Sequence, residues 1–478
     1  MSEQQRTDRD TDFEPVMSAE EALMWRVGSD PWLDPSGGLL AVLDQPVDVG
    51  LVRRKLAAGV LRFPRMAERV VESANPLDPP RWETDPHFDV VNHVVELSVA
   101  EPGDHRTLLD LTARLMTEPF PENGAPWLMY VIQGLAGDKS AVLTRLHHAV
   151  ADGIGSLRMA EIYIDFERAT TDPGDVDLAD FLAERRTAET SRNSPDPADV
   201  VVGALMDGLG LVKSAAAEFA LIGADPARAG RAGNHALETL RTVIDQLVGD
   251  PYLDSTSELW SGRSGQRYLV TAQMPLDAAK AAAKARGGTV NDLYVSALAD
   301  AAVTYHTAQG EEPRSIAMSF VRSTREGANA GGNSFVPVKV RAPGAGTDAD
   351  ARFAVLREAM APGDGSEEPG LSAVSSLAGL VPTAALSRLG RDQGSRIDIV
   401  TSNLRGAPVP LYVAGAKVEA AFPIGPVAGA ACNATVMSND GSLDVGIMID
   451  PDAIDDPDFF GDCVQQVFDR YAAEVEGT

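Results

Sequence analysis

The chain has 478 residues, a formal net charge of −29 and two cysteines, Cys432 and Cys463. Proteins that track phosphate groups concentrate lysine and arginine on one surface, so this acidic composition excludes nucleic acid as a partner. The cysteines stand thirty-one positions apart, without a Cys-x-x-Cys spacing; this excludes a disulfide framework and a thiolate zinc site and is typical of a cytosolic protein.

We predict a leader followed by two core-bearing units, because the chain is about three times as long as a typical domain. Residues 1–15 are polar and acidic and have no apolar segment that a secretory signal would need, so we expect a disordered leader. Residues 16–171 alternate strand-like runs, such as FDVVNHVVELSV and APWLMYVIQGL, with helical patterns such as HRTLLDLTARLMTEPF. This alternation predicts a first α/β unit.

The segment SAVLTRLHH, which ends at His148, has the length and β-branched content of a buried strand. Successive strand residues point to opposite faces, so His147 and His148 cannot both address one site. Asp152 and Gly153 favour a turn after the strand, and we expect a helix to begin near Ser156. The two histidines are therefore predicted at a strand end, where a rigid element meets a cleft.

Residues 172–255 differ in composition and predict an acidic, helical connector. Residues 200–223 are its most apolar stretch, but Asp207, Lys213 and Glu218 interrupt them, which argues against a membrane-spanning helix. A packed helix is favoured over one that rests on a membrane, because the polar face lacks the usual lysines and arginines. Strand and helix patterns resume in residues 256–478 and predict a second α/β unit.

The chemistry at the paired histidines has several alternatives. A zinc site would need a His-x-x-x-His helix or further cysteine and histidine spacing, and neither occurs in the sequence. No Gly-x-Ser-x-Gly nucleophile turn and no Walker-type phosphate loop occurs either. The remaining alternatives are a general base and a structural histidine beside a turn aspartate.

The motif HHAVADG, residues 147–153, fits His-His-x-x-x-Asp-Gly, the signature of the CoA-dependent acyltransferase superfamily that includes chloramphenicol acetyltransferase and peptide-synthetase condensation domains. From MSAEEALMW to the last helix, the chain more specifically resembles the bacterial wax ester synthase/diacylglycerol acyltransferase family. The segments that carry this resemblance are, in order, FDVVNHV, APWLMYVIQGL, GGTVNDLYVSAL, GGNSFVPVKV, SNLRGAPVP and NDGSLDVGIMIDPD.

This resemblance implies a layered α/β fold, in which two chloramphenicol-acetyltransferase-like domains face a central tunnel and a helical connector joins them. It implies transfer of a long-chain acyl group from acyl-CoA, a co-substrate, to diacylglycerol or a fatty alcohol, without a cofactor or a metal. We expect a cytoplasmic enzyme with peripheral contact to a membrane or lipid droplet. The alternatives are a non-catalytic paralogue that binds acyl-CoA or lipid, and an enzyme that acylates a non-lipid acceptor.

Within the matched catalytic motif, the resemblance assigns the general base to His148, because a near-neutral imidazole can take the alcohol proton and return it to the thiolate. It implies that His147 faces away from the substrate and packs or forms hydrogen bonds. Asp152, next to Gly153, would hold the motif loop by pairing with an arginine. The candidate partners are Arg322, Arg325 and Arg405.

Two further matched segments contain residues that are candidates for substrate binding or for structural support of the site. Thr289 followed by Asp292 fits a helix capping box, which we favour for Asp292. Asn291 is a candidate donor to the oxyanion of the tetrahedral intermediate. In SNLRGAP the resemblance places Ser402 and Asn403 at a strand end beside the tunnel, whereas the alternative is a plain strand followed by a turn.

Lys339 and Arg341 lie two apart on a probable strand and project from the same face. This basic pair is a candidate for binding the CoA phosphates, and an ordinary solvated strand face is the alternative.

The sequence also departs from the family pattern at several positions. Residues 122–127, ENGAPW, keep Pro126 and Trp127 but lack the arginine that commonly precedes them, and Ala407 is inserted before Pro408. Gly28 stands where many relatives place an acid that could contact the catalytic histidine. The catalytic motif itself is unbroken.

Overall fold

A computed structural model of the chain describes residues 14–73, 78–151, 153–192, 254–323, 335–361 and 383–476. Nearly all of the predicted leader and most of the predicted connector, including its apolar residues 200–223, lie outside the described residues.

The first unit combines short helices with a mixed sheet. Its helices and strands are, in chain order, α1 (Ala19–Val27), β1 (Ser36–Leu43), α2 (Val49–Val60), a 3₁₀ turn (Pro64–Ala67), β2 (Glu68–Val71), β3 (Arg81–Thr84), α3 (Val90–His93), β4 (Val94–Ser98), α4 (His105–Leu115), β5 (Trp127–Leu135), β6 (Lys139–His147), α5 (Gly153–Ala160), β7 (Ile164–Asp165) and α6 (Ala179–Arg192).

The second unit has the same kind of composition. Its elements are a 3₁₀ turn (Leu259–Ser261), β8 (Tyr268–Pro275), α7 (Leu276–Ala285), α8 (Val290–Ala308), β9 (Ser315–Ser323), β10 (Phe335–Pro343), α9 (Ala349–Met360), α10 (Thr383–Gly394), β11 (Ile399–Arg405), β12 (Tyr412–Val413), β13 (Ala416–Ile424), β14 (Cys432–Asn439), β15 (Ser442–Ile449) and α11 (Pro457–Glu476).

The first sheet contains strands from both ends of the sequence. Its order is β4-β5-β6-β1-β13-β12-β7, in which β13 runs antiparallel to β1 with Gly38 opposite Ile424. Strands β12 and β13 fall within the predicted second unit, yet they complete the sheet of the first. The first sheet therefore draws strands from both sides of the predicted boundary at residue 256.

The second sheet has the order β10-β9-β11-β14-β15-β8, in which β11 runs parallel to both β9 and β14. Helices α7, α8, α9 and α11 contribute side chains to the apolar core of this unit. A separate apolar cluster contains residues of both units. Its members include Leu40 of β1, Leu108 of α4, Leu269 of β8, Phe422 of β13 and Met448 of β15. The predicted α/β fold class is confirmed.

Two local predictions needed correction. The run that begins FDVVNHV is not continuous strand, because the Asp89 carboxylate accepts the N–H of Val91 and caps the helical turn α3 before β4 begins at Val94. The helix after the paired histidines begins at Gly153 rather than near Ser156, and it ends at Ala160. In the first case, the Asp89 cap starts a helical turn where strand was predicted. In the second, the turn after β6 is shorter than predicted, so the helix begins three residues earlier.

Candidate functional site

The paired histidines stand at the end of β6, in the middle of the first sheet. Strand β6 lies between β5 and β1, with Trp127 opposite Leu146 on one side and Ser36 opposite His147 on the other. His147 is the last residue of the strand and His148 follows it. Two flanking strands therefore fix the backbone that presents both imidazoles.

The side chain of His147 is buried and already engaged. Its relative exposure is 5%, and its Nδ1 accepts the backbone N–H of Ala149 at 3.1 Å. Burial lowers the pKa of His147 to about 4, and the nearby carboxylate of Asp34 offsets this only in part. His147 is therefore neutral near pH 7, with its single ring proton on Nε2 because Nδ1 is the acceptor.

His148 has a more open environment. It is half-buried, and a Cβ placed on Gly37 of β1 would lie 3.8 Å from both its Cδ2 and its Nε2. The missing side chain of Gly37 thus leaves room beside the imidazole edge that carries Nε2. Strand alternation predicted that the two histidines address different surroundings, and their contacts agree with that prediction.

The predicted pairing of Asp152 with an arginine involves residues at the edge of the described part of the chain. Asp152 and Arg325 lie outside the described residues, and the structure describes only the backbone of Arg322 and Gly153. Arg405 is an exposed residue at the end of β11. The pairing of Asp152 with an arginine stays a prediction.

The structure brings together two asparagines from separate predicted motifs. Nδ2 of Asn403 on β11 donates to Oδ1 of Asn291 at 3.0 Å, at the start of α8. The next residue, Asp292, forms the predicted capping box with Thr289, in which each side chain bonds the other residue's backbone N–H. The structural role of Asp292 is thus confirmed, whereas Ser402 is a half-buried strand residue beside Asn403.

The basic pair on β10 is engaged within the protein. Nζ of Lys339 forms an ion pair with Asp254 at 2.9 Å, and its side chain is only 6% exposed. Nε of Arg341 donates to Oγ of Ser315. Lys339 is therefore not on a solvated strand face, and its buried ion pair does not favour a phosphate ligand; CoA binding by this pair stays a prediction.

A cavity of about 1150 Å³ opens beside the histidine motif, between α1, the loop after α4 and the residues that follow β13. Of the two histidines, it is His147 that lines this cavity. Its apolar lining includes Leu23, Trp25, Met116, Phe120, Val427 and Met448. This volume slightly exceeds the roughly 300–1,000 Å³ typical of ligand pockets.

Sequence reasoning missed Arg145, which also lines this cavity. Its side chain is 2% exposed, lies 4.1 Å over the ring of Phe120, donates to the carbonyl oxygen of Glu118 and faces Asp34 at 3.5 Å. Arg145 and His147 stand two apart on β6 and so share one face. The two-residue repeat of a strand, counted back from His147, was the signal that could have identified Arg145.

Gly28 explains the close packing around His147. This residue ends α1, and a Cβ there would lie 2.7 Å from Nε2 of His147. The ring of Trp25, one turn earlier in α1, meets the imidazole edge-on with 5.1 Å between ring centres. Position 28 thus adjoins His147 in this chain.

Neither a metal centre nor a membrane span was identified in the part of the chain that the structure describes. No group of three or more histidine, cysteine, aspartate or glutamate side chains is placed to hold a metal ion there. Among the same residues, no helix is both long and apolar enough to cross a bilayer.

Family models match most of the chain. The model described as wax ester synthase/diacylglycerol acyltransferase catalytic domain matches residues 17–294, and the WS/DGAT C-terminal domain matches residues 332–471. A putative diacylglycerol O-acyltransferase of Mycobacterium tuberculosis is 30% identical over 473 residues, which cover 95% of this chain and 91% of the relative. A probable diacylglycerol O-acyltransferase of the same species is 27% identical over 77% of this chain and 78% of its own length.

Solved structures support the fold. The wax ester synthase/diacylglycerol acyltransferase from Marinobacter aquaeolei superposes with a TM-score of 0.62 at 18% identity, covering 97% of this chain and all of that one. The first condensation domain of the CDA synthetase superposes with a TM-score of 0.53 at 14% identity, covering 97% and 98% of the two chains. The predicted resemblance in fold to these acyltransferase and condensation-domain structures is confirmed.

Proposed function

We propose that this protein transfers a long-chain acyl group from acyl-CoA to an alcohol. The basis is that the chain belongs to the wax ester synthase/diacylglycerol acyltransferase family and is an acyltransferase of lipid synthesis. The acceptor is diacylglycerol or a fatty alcohol, which gives triacylglycerol or wax ester. His148 serves as the general base, and no acyl-enzyme forms.

The contrast between the two histidines carries this assignment. Nδ1 of His147 is occupied by the N–H of Ala149, and burial lowers its pKa to about 4. A general base works best with a pKa near the working pH and an accessible lone pair, and His147 has neither. His148 is half-buried beside the bare backbone of Gly37 and is the better candidate.

In the proposed reaction, His148 takes the proton of the alcohol while the alcohol oxygen attacks the thioester carbonyl. The tetrahedral intermediate then collapses, the carbon–sulfur bond breaks, and the imidazolium returns the proton to the CoA thiolate. The new ester and free CoA are the products, so atoms and charge balance without a cofactor.

Asn291 is the proposed donor to the oxyanion of the intermediate. Its Oδ1 accepts from Nδ2 of Asn403 at 3.0 Å, and this bond orients the amide so that its own Nδ2 remains available to donate. One such donor contributes roughly 3 kcal/mol in other acyl-transfer enzymes.

The test measures thiol release from a long-chain acyl-CoA in the presence of diacylglycerol, a fatty alcohol or neither. We expect release that depends on the acceptor, and a loss of about 10²- to 10⁴-fold in kcat for His148→Ala. His87→Ala is the matched control, because His87 is exposed and its side chain is outside the site. If neither diacylglycerol nor the fatty alcohol increased thiol release by wild type, the acyl transfer would be refuted. Near-normal turnover by folded His148→Ala would refute the assignment of the general base.

A further inference from the structure

The segment that joins α1 to β1, residues 28–35, contacts both units. We call it the α1–β1 loop. It contains no helix or strand, so its position depends on the contacts that it makes with its surroundings. Its two ends lie beside the histidine motif, and its middle lies against the second unit.

The ends of the α1–β1 loop meet next to His147. A Cβ placed on Gly28 would lie 2.7 Å from Nε2 of His147 and 3.1 Å from Cδ of Pro35. Oδ1 of Asp34 accepts the backbone N–H and the hydroxyl of Ser36 at 2.9 and 2.6 Å, and Ser36 is the β1 residue opposite His147. Gly28 therefore covers the Nε2 edge of the imidazole, and Asp34 fixes the strand residue beside it.

The middle of the α1–β1 loop is held by an ion pair with the second unit. Asp30 is 7% exposed, and its carboxylate accepts from Nε and Nη2 of Arg391 on α10 at 2.6 and 2.7 Å. Asp30 also accepts the N–H of Trp32 at 3.1 Å, and the Arg391 guanidinium lies 4.6 Å over the ring of Trp32. Because a bidentate pair fixes orientation as well as distance, Arg391 sets the position of the loop.

Two further contacts with the second unit support this ion pair. Leu33 is buried against α10, where a Cβ placed on Gly390 would lie 2.7 Å from Cδ1 of Leu33. Nη2 of Arg267 donates to the carbonyl oxygen of Pro31 at 2.8 Å. The middle of the loop is thus packed on the second unit, while its ends pack on the histidine motif of the first.

Removing Arg391 would leave the Asp30 carboxylate buried without its cation. Such a group is strongly unfavourable, so the loop would move to bring Asp30 into water. His147 would then lose the Gly28 backbone that covers its imidazole, and His148 is the next residue of the same strand end. A misplacement of about 1 Å, even one that starts far from the chemistry, can lower turnover by about 100-fold.

We propose that Arg391 is a positioning residue for the paired histidines: through Asp30 it holds the α1–β1 loop against His147 and so keeps His148 in place for proton transfer. Turnover then depends on contact between the two units. The inference rests on the proposed function for the role of His148, whereas the contacts from Arg391 to His147 do not depend on that role.

The first experiment compares the steady-state kinetics of Arg391→Ala and Arg106→Ala. Arg106 on α4 is the matched control, because it also forms an ion pair between the units, with Asp458 at 3.3 Å, and its side chain is 32% exposed against 43% for Arg391. We expect Arg391→Ala to lower kcat about tenfold or more with both KM values within about twofold, and Arg106→Ala to keep its kcat. Equal losses in the two variants, or an unchanged kcat in Arg391→Ala, would overturn the inference.

A double-mutant cycle tests whether Asp30 and Arg391 act as one unit. Asp30→Ala combined with Arg391→Ala removes both charges and so leaves no buried carboxylate that would destabilise the fold. We expect the double variant to lose no more kcat than the worse single variant. Losses that multiply would show that Arg391 acts by another route, which would overturn the inference.

A labelling experiment reports on His147 without any turnover. Diethyl pyrocarbonate modifies accessible imidazole nitrogens, and tandem mass spectrometry distinguishes the two adjacent histidines. His147 is 5% exposed, so we expect slow modification in wild type and in Arg106→Ala, and several-fold faster modification in Arg391→Ala. The exposed His87 is the internal reference, and its rate should be equal in all three proteins.

The labelling result separates this inference from the proposed function. If His147 became more reactive in Arg391→Ala while wild type released no thiol with any acceptor, the proposed function would be refuted and the link from Arg391 to His147 would stand. An unchanged rate of modification at His147 in Arg391→Ala would overturn the inference, whatever the activity of wild type.

Discussion

Replacing His147 by asparagine should make the fold less sensitive to acid. Asparagine retains an acceptor, Oδ1, for the N–H of Ala149, and it does not titrate. In wild type, burial lowers the pKa of His147 from 6.5 to about 4. The substitution therefore removes a titrating group while it preserves the hydrogen bond that closes the end of β6.

The sign follows from proton uptake. Between pH 6.5 and about 4, the unfolded chain binds a proton at His147 and the folded chain does not. The free energy of unfolding contributed by His147 is therefore fully present above pH 6.5 and is lost as the pH falls through this window. With about 1.4 kcal/mol for each pKa unit, the loss is about 2 kcal/mol at pH 5 and approaches about 3 kcal/mol near pH 4.

The assay is urea unfolding of wild type and His147→Asn at pH 7.5, 6, 5 and 4.5. Titrating groups distant from position 147 contribute equally to both proteins, so the difference between the two pH curves reports His147 together with its interactions with Asp34, His148 and Arg145. We expect wild type to lose about 2 kcal/mol more than the variant between pH 7.5 and 5. Parallel curves would show that His147 is not held neutral by burial.

Three further substitutions test the contacts around the site. Asn403→Ala should lower kcat about tenfold with KM for acyl-CoA unchanged, because Asn291 loses the donor that orients its amide; initial rates against acyl-CoA concentration check this, and a change in KM alone would contradict it. Thr289→Ala removes the cap of α8 and should lower the free energy of unfolding by about 1 kcal/mol in urea, with Thr289→Ser as the conservative control. Gly28→Ala should cost about 1–3 kcal/mol in the same assay, since its Cβ would lie 2.7 Å from Nε2 of His147; an unchanged midpoint would show that the imidazole moves freely.

Features set by neighbouring residues could be predicted from the sequence. The period of a strand separated the surroundings of His147 and His148, and the spacing of Thr289 and Asp292 predicted the capping box. Both depend only on the geometry of one helix, or of one strand and the residue that follows it. The family resemblance supplied the fold class beyond that local range.

Features that depend on distant parts of the chain could not be predicted in this way. Asn291 and Asn403 are 112 positions apart, and their hydrogen bond exists because α8 and β11 meet in the folded protein. The packing of Gly28 against His147 likewise depends on where the end of α1 meets the end of β6. Local patterns carry no information on such contacts, because the same residues would have the same propensities in any tertiary arrangement.

The pairing of β1 with β13 has a consequence for biosynthesis. Translation delivers β1 early and β13 late, so one edge of the central strand stays without its neighbour for tens of seconds at about 5–20 residues per second. An open strand edge is a template for pairing with other chains. The nascent polypeptide is thus exposed to aggregation on the ribosome, and the first unit produced without the rest of the chain would retain that edge permanently.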